Sequence, residues 1–194
     1  MGEIKGGIAN MEKIENEAKK QLWELVNNLT IFTIADLRTN HFEKLKSEKN
    51  INDKGVYFIL NLHENEKVLE FEDTQIFNKI YGKCKNSDEY KVKNLEDSFN
   101  NIKFKRIIYI GKADGEKGLF QRLKPYLAPW KSHSGGRAIW KIKDAEQLGV
   151  TWITLNEFNK YLNNEKIEEA KILERKLLKK YVEYNGNLPI ANQI

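Results

Sequence analysis

Arg106-Ile107-Ile108-Tyr109-Ile110-Gly111 is the stretch that decides the fold. Its β-branched and aromatic side chains, followed at once by glycine, predict a buried strand. Two other short runs have the same character, Gly55–Leu60 (GVYFIL) and Val150–Leu155 (VTWITL). Helical patterns separate and follow these runs, so the sequence predicts a mixed domain of helices and strands.

Apolar residues at helical spacing and local stop signals predict the helices around these strands. The predicted helices are Met11–Leu29, Ile34–Lys46, Gly118–Lys124, Arg137–Leu148 and Glu165 to about Tyr184. Pro125 ends or bends the third of these helices, and Gly149 stops the fourth. Turn residues at 50–55 suggest a boundary between an N-terminal helical extension, 1–52, and the main domain, 53–194. Residues 61–105 are expected to be an insertion, because they hold too few apolar residues for a core of their own.

The charge is concentrated in one part of the chain. Residues 102–143 hold eleven Lys or Arg and two acidic residues, interleaved with aromatic residues, although the chain carries only +5 in all. This pattern is typical of a phosphate-backbone partner, and equally of a solvated face with core aromatics. On the first interpretation, we expect nucleic-acid contacts from Lys124, Lys131, Arg137 and Lys141.

The single cysteine, Cys84, cannot form an internal disulfide, and this favours an intracellular protein. The N-terminal residues lack the apolar core of a signal peptide. No apolar run reaches the roughly 20 residues that a membrane span requires. We therefore expect a cytoplasmic protein without a membrane partner.

Glu174 stands out in the last predicted helix. Ile167, Ala170, Leu173, Leu177, Leu178 and Tyr181 form one apolar stripe, and Glu174 falls inside it. A carboxylate facing a core costs several kcal/mol unless it is paired, protonated or bound to a cation. The pattern alone leaves open a buried salt bridge, a side chain that reaches solvent at the edge of the stripe, and a ligand for a divalent cation.

The order of these residues resembles the GIY-YIG nuclease superfamily, in a compact form similar to a restriction endonuclease. Gly55-Val56-Tyr57 and Tyr109-Ile110-Gly111 match the two half-motifs, and an arginine, a third strand, a helix with one inward glutamate and a late asparagine follow in order. The resemblance implies an α+β fold with a small, three-stranded, mainly antiparallel sheet flanked by helices. Fifty-two positions separate Tyr57 from Tyr109, where the family has a short hairpin, so residues 61–105 must be inserted there.

The resemblance also implies a set of catalytic residues, namely Tyr57, Tyr109, Lys112, Arg122, His133, Glu174 and Asn192. Glu174 would bind a single Mg²⁺ or Mn²⁺, and Arg122 would contact the phosphate oxygens. One of the two tyrosines would orient or deprotonate the attacking water, with Lys112 or His133 lowering its pKa or relaying the proton. Each residue has a simpler interpretation: the tyrosines as core aromatics, His133 as part of a surface loop or, with Arg137, of a phosphate nest, and Asn185 or Asn187 in place of Asn192.

These inferences predict a metal-dependent endodeoxyribonuclease that acts on double-stranded DNA. A sequence-specific enzyme that cuts both strands would be expected to form a homodimer. The alternative is a non-catalytic nucleic-acid-binding module that uses the basic face at 102–143. It would bind in a salt-sensitive way but would not cleave in any divalent metal. In a third interpretation, a domain unrelated to nucleic acid, the basic segment is incidental.

Overall fold

The computed structural model describes residues 22, 24–38, 50–62, 69–71, 106–127, 139–160 and 166–192. Within these residues, four strands form one antiparallel sheet in the order β1-β4-β2-β3. The strands are β1 (Phe32–Thr33), β2 (Gly55–Leu60), β3 (Ile107–Ala113) and β4 (Gly149–Thr154). Helices with defined bounds are α1 (Ile34–Arg38), α2 (Gly118–Leu123), α3 (Leu155–Asn159) and α4 (Ala170–Asn185). The predicted α+β class is therefore confirmed.

Strand β2 lies at the centre of the sheet and pairs with β3 on one side and β4 on the other. All six of its residues are buried, which explains why the run GVYFIL is apolar throughout and does not alternate. Gly55 lies flush against β4, where a Cβ would come within 2.3 Å of the Ile153 carbonyl oxygen. A side chain at this position would force the two strands apart.

Helix α4 packs against β3 and β2 through the predicted apolar stripe. Ala170, Leu173, Leu177 and Tyr181 are all buried, and the Tyr181 hydroxyl donates a hydrogen bond to the Ile107 carbonyl oxygen at 3.3 Å. Helix α2 packs against the same two strands. Strand β3 is therefore held by its partner strand and by two helices, and this fixes the side chains at its C-terminal end.

The sheet has one strand more than the sequence predicted. Strand β1 comes from the predicted N-terminal extension and pairs with β4. It holds only two residues, too few to give a period-2 pattern in the sequence. Phe32 stacks on Trp152 with ring centroids 5.4 Å apart, and Thr33 caps α1 through reciprocal hydrogen bonds with Asp36. Part of the extension is thus built into the sheet.

The predicted helix over Arg137–Leu148 is wrong in its described part. Only residues 139 and 140 are α-helical, Ile142 forms an isolated bridge to Phe71, and Asp144 has a φ of 55°. Ala145–Gln147 form a single 3₁₀ turn. The Lys143 amide donates to the Glu70 carbonyl oxygen at 2.8 Å instead of to a helical partner. Pairing with a distant segment therefore replaces the helix, and Gly149, predicted as its stop, is the first residue of β4.

Helix α4 begins five residues later than predicted. The side-chain amide of Asn159 accepts a hydrogen bond from the Ile167 backbone N–H and donates one to the Ile167 carbonyl oxygen, each at 2.8 Å. These two bonds hold the residues before α4 outside the helix, and Glu169 is extended at the N-cap. The C-terminus agrees with the prediction, because Gly186 takes the left-handed conformation with φ 76°.

Much of the chain that the sequence assigned to the insertion at 61–105, and much of the N-terminal helices, lies outside the described residues. The division into 1–52 and 53–194 and the insertion therefore stay predictions. Leu22 and residues 24–27 are helical, in agreement with the first predicted helix. In the described part of the chain, no helix has both the length and the apolar character that crossing a membrane requires.

Candidate active site

The two motif tyrosines meet over a glycine on paired strands. In the register of β2 and β3, Tyr57 lies opposite Gly111 and Ile59 lies opposite Tyr109, so the two tyrosines are diagonal neighbours on one face. Their ring centroids are 5.7 Å apart at an interplanar angle of 48°. A Cβ at residue 111 would come within 2.6 Å of the Tyr57 hydroxyl oxygen and 2.5 Å of the Tyr109 ring. Glycine at 111 therefore lets the two rings come together.

A third tyrosine, Tyr126, joins this cluster, and the sequence did not single it out. It lies in the 3₁₀ turn Lys124–Leu127 directly after α2, and its ring packs edge-on against Tyr57 with centroids 6.0 Å apart. The available signal was its spacing from Leu119 and Leu123, which puts all three on one helical face. Reading Pro125 as the end of the helix hid that periodicity.

Burial raises the pKa of each motif tyrosine above its ordinary value of 10. The pKa of Tyr57 is raised chiefly because its side chain is buried, with Tyr126 and Tyr109 adding to the shift. Burial also raises the pKa of Tyr109, and the Glu174 carboxylate raises it further, while a hydrogen bond with Tyr57 and the charge of Arg122 lower it. The lowered pKa that the sequence analysis expected is therefore not found, because burial outweighs the arginine. Both hydroxyls are protonated at neutral pH.

Glu174 lies where α4 meets the C-terminal end of β3. Its side chain is only 17% exposed, and its carboxylate oxygen is 4.0 Å from the Lys112 ammonium nitrogen. Burial raises the pKa of this carboxyl and the nearby Asp114 raises it further, against the lowering effects of Lys112 and Arg122. The prediction of an inward carboxylate agrees with this exposure. Its charge is only partly compensated by the protein.

Lys112 lies between two carboxylates. Its ammonium nitrogen is 3.7 Å from an Asp114 oxygen and 4.0 Å from a Glu174 oxygen. The sequence analysis did not select Asp114, although it follows Lys112 by two positions at the end of a strand, where alternation brings such residues to one side. The pocket therefore contains a second carboxylate beside the predicted one.

Asn192 bonds to the strand that carries Tyr109 and Gly111. Its side-chain amide nitrogen donates to the Ile110 carbonyl oxygen at 2.7 Å, and its amide oxygen accepts from the Ile110 N–H at 2.9 Å. Of the competing asparagines, Asn185 donates to the Tyr181 carbonyl oxygen and Asn187 is exposed. Asn192 therefore acts on the site by holding β3.

The remaining predicted residues are distributed unevenly. Arg122 and Lys124 are exposed, on α2 and directly after it. Lys141 is only 4% exposed, so its side chain is not available to a partner at the surface. His133, Lys131 and Arg137 lie outside the described residues. The structure brings together Tyr57, Tyr109, Lys112, Arg122 and Glu174, and Asn192 supports them from the strand edge.

The donor set fits a hard divalent cation. Among the described residues, no group of three or more His, Cys, Asp or Glu side chains could hold a metal. Magnesium does not require one, because it commonly binds one or two carboxylates and keeps several waters. Glu174, with its under-compensated charge, is the carboxylate that a cation would stabilise most, and Asp114 lies close enough to add to the field.

The chain matches no protein-family model, no curated protein and no solved structure. The resemblance to the GIY-YIG nucleases therefore depends on the motif residues and on their arrangement in the fold.

Asn192→Ala should loosen the outer edge of β3. Both backbone groups of Ile110 lose their partners, and the free energy of unfolding should fall by about 1–2 kcal/mol. Amide hydrogen exchange at Ile110 should become at least about tenfold faster, since an N–H without a partner is protected only by burial. Asn187→Ala is the matched control and should change neither quantity. Unaltered exchange at Ile110 in Asn192→Ala would contradict the proposed bracing of β3.

Glu174→Gln should stabilise the protein at neutral pH. Because the folded state raises the pKa of this carboxyl, it holds the proton more tightly than the unfolded chain does. Stability is therefore lost as pH rises from the unfolded pKa, near 4.5, through the folded pKa. The neutral glutamine avoids that loss. Urea unfolding should give Glu174→Gln the higher midpoint at about pH 7.5 and nearly the wild-type midpoint at about pH 3.5.

Glu183→Gln, on the exposed side of α4, serves as the control and should show no such pH-dependent gain. A Glu174→Gln protein that is less stable than wild type at neutral pH would mean that the ion pair with Lys112 outweighs burial.

Proposed function

We propose that this protein is a metal-dependent endonuclease of the GIY-YIG type that hydrolyses phosphodiester bonds in double-stranded DNA. The observation that carries the proposal is the half-buried Glu174 beside Tyr109, Arg122 and Lys112, at the end of the strand that bears the second half-motif. A partly buried carboxylate with a raised pKa, close enough to cationic side chains and to a tyrosine for their charges to act on one another, is typical of a catalytic pocket. A cytoplasmic location and action as a homodimer belong to the same proposal.

Burial assigns different roles to the two motif tyrosines. Tyr57 is 1% exposed and cannot contact a substrate, whereas Tyr109 is only partly buried and interacts with Glu174 and Arg122. Tyr109 is therefore the tyrosine that we assign to the attacking water. Tyr57 supports it from below through the hydrogen bond between the two hydroxyls.

The cationic residues would bind the scissile phosphate. Arg122 is exposed and close enough to Glu174 and Tyr109 to affect the pKa of each. Its planar guanidinium matches the phosphate oxygens in a way that a lysine does not. Lys112 lies between Asp114 and Glu174 and would balance charge as the polyanion enters.

Glu174 would hold a divalent ion, Mg²⁺ or Mn²⁺, which when bound supplies Lewis-acid stabilisation of charge on the departing oxygen. The water oxygen attacks phosphorus in line with the bond to the 3′ oxygen, and that bond breaks. Tyr109 orients the water through its hydroxyl, and Arg122 stabilises the extra negative charge on the phosphate oxygens. Water thus supplies a hydroxyl to phosphorus and a proton that reaches the departing 3′ oxygen through the hydrogen-bonded pocket, so the products are a 5′-phosphate and a 3′-hydroxyl.

Glu174→Gln and Arg122→Ala should each reduce cleavage of plasmid DNA in Mg²⁺ or Mn²⁺ by at least about a hundredfold. Glutamine removes the metal-binding charge without changing the shape of the side chain, and alanine removes the phosphate contact. The measurement is single-turnover cleavage with sequencing of the product ends. Glu183→Gln, on the outer side of α4, should cleave at close to the wild-type rate.

Wild-type protein that binds DNA in a salt-sensitive way, but cuts it in neither metal, would replace the enzyme by the non-catalytic binding module. Cleavage that persists in Glu174→Gln or Arg122→Ala would remove that residue from the site.

Tyr109→Phe should lower the single-turnover rate by about tenfold to a thousandfold, because the water loses a hydrogen-bonding partner. Its melting temperature should fall only slightly, since the Tyr109 side chain is only partly buried. Tyr57→Phe removes a fully buried hydroxyl and should lower the melting temperature more and the rate less. The assignment is wrong if Tyr57→Phe, at equal folded fraction, loses more activity than Tyr109→Phe.

A further inference from the structure

Helix α4 carries a row of cations that the proposed reaction does not use. Between Ala170 and Asn185 the exposed or half-exposed basic residues are Lys171, Arg175, Lys176, Lys179 and Lys180. The nucleic-acid contacts predicted from the sequence all lie within 102–143. These five residues differ in their position around the helix and in their ion pairing.

Helix geometry divides them between two flanks. Successive residues turn by about 100°, so Lys171 and Arg175 lie about 60° and 100° beyond Glu174, on the side of the helix away from the buried stripe. Lys176 and Lys180 lie on the opposite flank, and Lys179 points away from the sheet. Of the five cations, Lys171 and Arg175 therefore lie closest in angle to Glu174 and share one flank of the helix with it.

Ion pairing separates the same two residues from the others. Lys179 is 3.8 Å from Glu183, and Lys176 and Lys180 have interactions of their own. In the described part of the chain, no acidic side chain pairs with Lys171 or Arg175. The two cations nearest to Glu174 along the helix surface are thus the ones with charge available to a partner.

The position of Lys171 has no benefit for the helix itself. It is the second residue of α4, and the first turn holds no acidic residue. The helix dipole disfavours a cation there by a few tenths of a kcal/mol to about 1 kcal/mol, whereas lysines near the C-terminus are favoured. Helix stability therefore does not account for the position of Lys171.

We propose that Lys171 and Arg175 form an anion-binding flank that holds the phosphates next to the scissile one on the strand being cut. This inference depends on the proposed nuclease function, because it uses Glu174 to mark the reacting phosphate. Lys171 is about 4.5 Å from Glu174 along the helix axis, comparable to the 3.4 Å of axis per phosphate on one strand of a duplex. A strand crossing the pocket thus meets a cation on α4 beside the carboxylate.

The test is binding of a fluorescently labelled DNA duplex in EDTA, measured by anisotropy at several salt concentrations. The Lys171→Ala/Arg175→Ala double variant should bind about fivefold or more weakly, and the slope of log affinity against log salt should fall by about 1–2. Lys179→Ala is the control, since its partner is Glu183, and it should change affinity less than about twofold. Alanine favours helices, so all variants should keep the wild-type melting temperature.

Single-turnover cleavage of the same duplex in Mg²⁺ separates the two proposals. If wild type cuts and the double variant binds no more weakly than Lys179→Ala, the flank is refuted and the nuclease stands. If the double variant binds more weakly but wild type does not cut, the flank is supported and the nuclease is refuted. If wild type neither binds nor cuts, both proposals are refuted.

Discussion

The pairing of β2 with β3, in the register that sets Tyr57 against Gly111, is the constraint on which the rest of the site depends. It brings two tyrosine rings together on one face of the sheet. Gly111, which lies opposite Tyr57, has no side chain to keep them apart. A slip of one residue would turn the tyrosines to opposite faces and replace the glycine by a neighbour with a side chain. The Gly-x-Tyr and Tyr-x-Gly motifs therefore supply the two halves of one packing arrangement.

The same packing buries ionisable groups of the candidate site, and burying the charged form of such a group lowers the stability of the fold. Closing three tyrosines and a glutamate into a small space raises the pKa of each group, chiefly through burial. The protein interior thus disfavours ionisation of Glu174, and the nearby side chains of Lys112 and Arg122 only partly offset this. Buried groups whose charge lowers the stability of the fold are common at sites that bind or act on a ligand.

Local patterns in the sequence predicted those parts of the fold that local residues decide. The runs GVYFIL, RIIYIG and VTWITL predicted the three long strands, and the apolar stripe predicted the last helix and the inward position of Glu174. Strand β1 and the conformation of residues 139–148 were not predicted, because distant partners hold these segments. The partner is β4 for β1, and residues 70 and 71 for 139–148. Tyr126 and Asp114 were missed for a different reason, because each carried only a weak local signal. For Tyr126 it was the spacing from Leu119 and Leu123, which reading Pro125 as the helix end hid, and for Asp114 the two-residue spacing from Lys112.

Asn192 also affects whether the edge of β3 can pair with another polypeptide chain. Among the described residues, β3 is the last strand of the sheet, and the edge of a sheet can pair with a strand of another polypeptide. The amide of Asn192 offers Ile110 one donor and one acceptor, as a residue of an adjoining strand would. A single side chain thus satisfies both outward backbone groups of Ile110, which are then not available to pair with a strand from another copy of the protein.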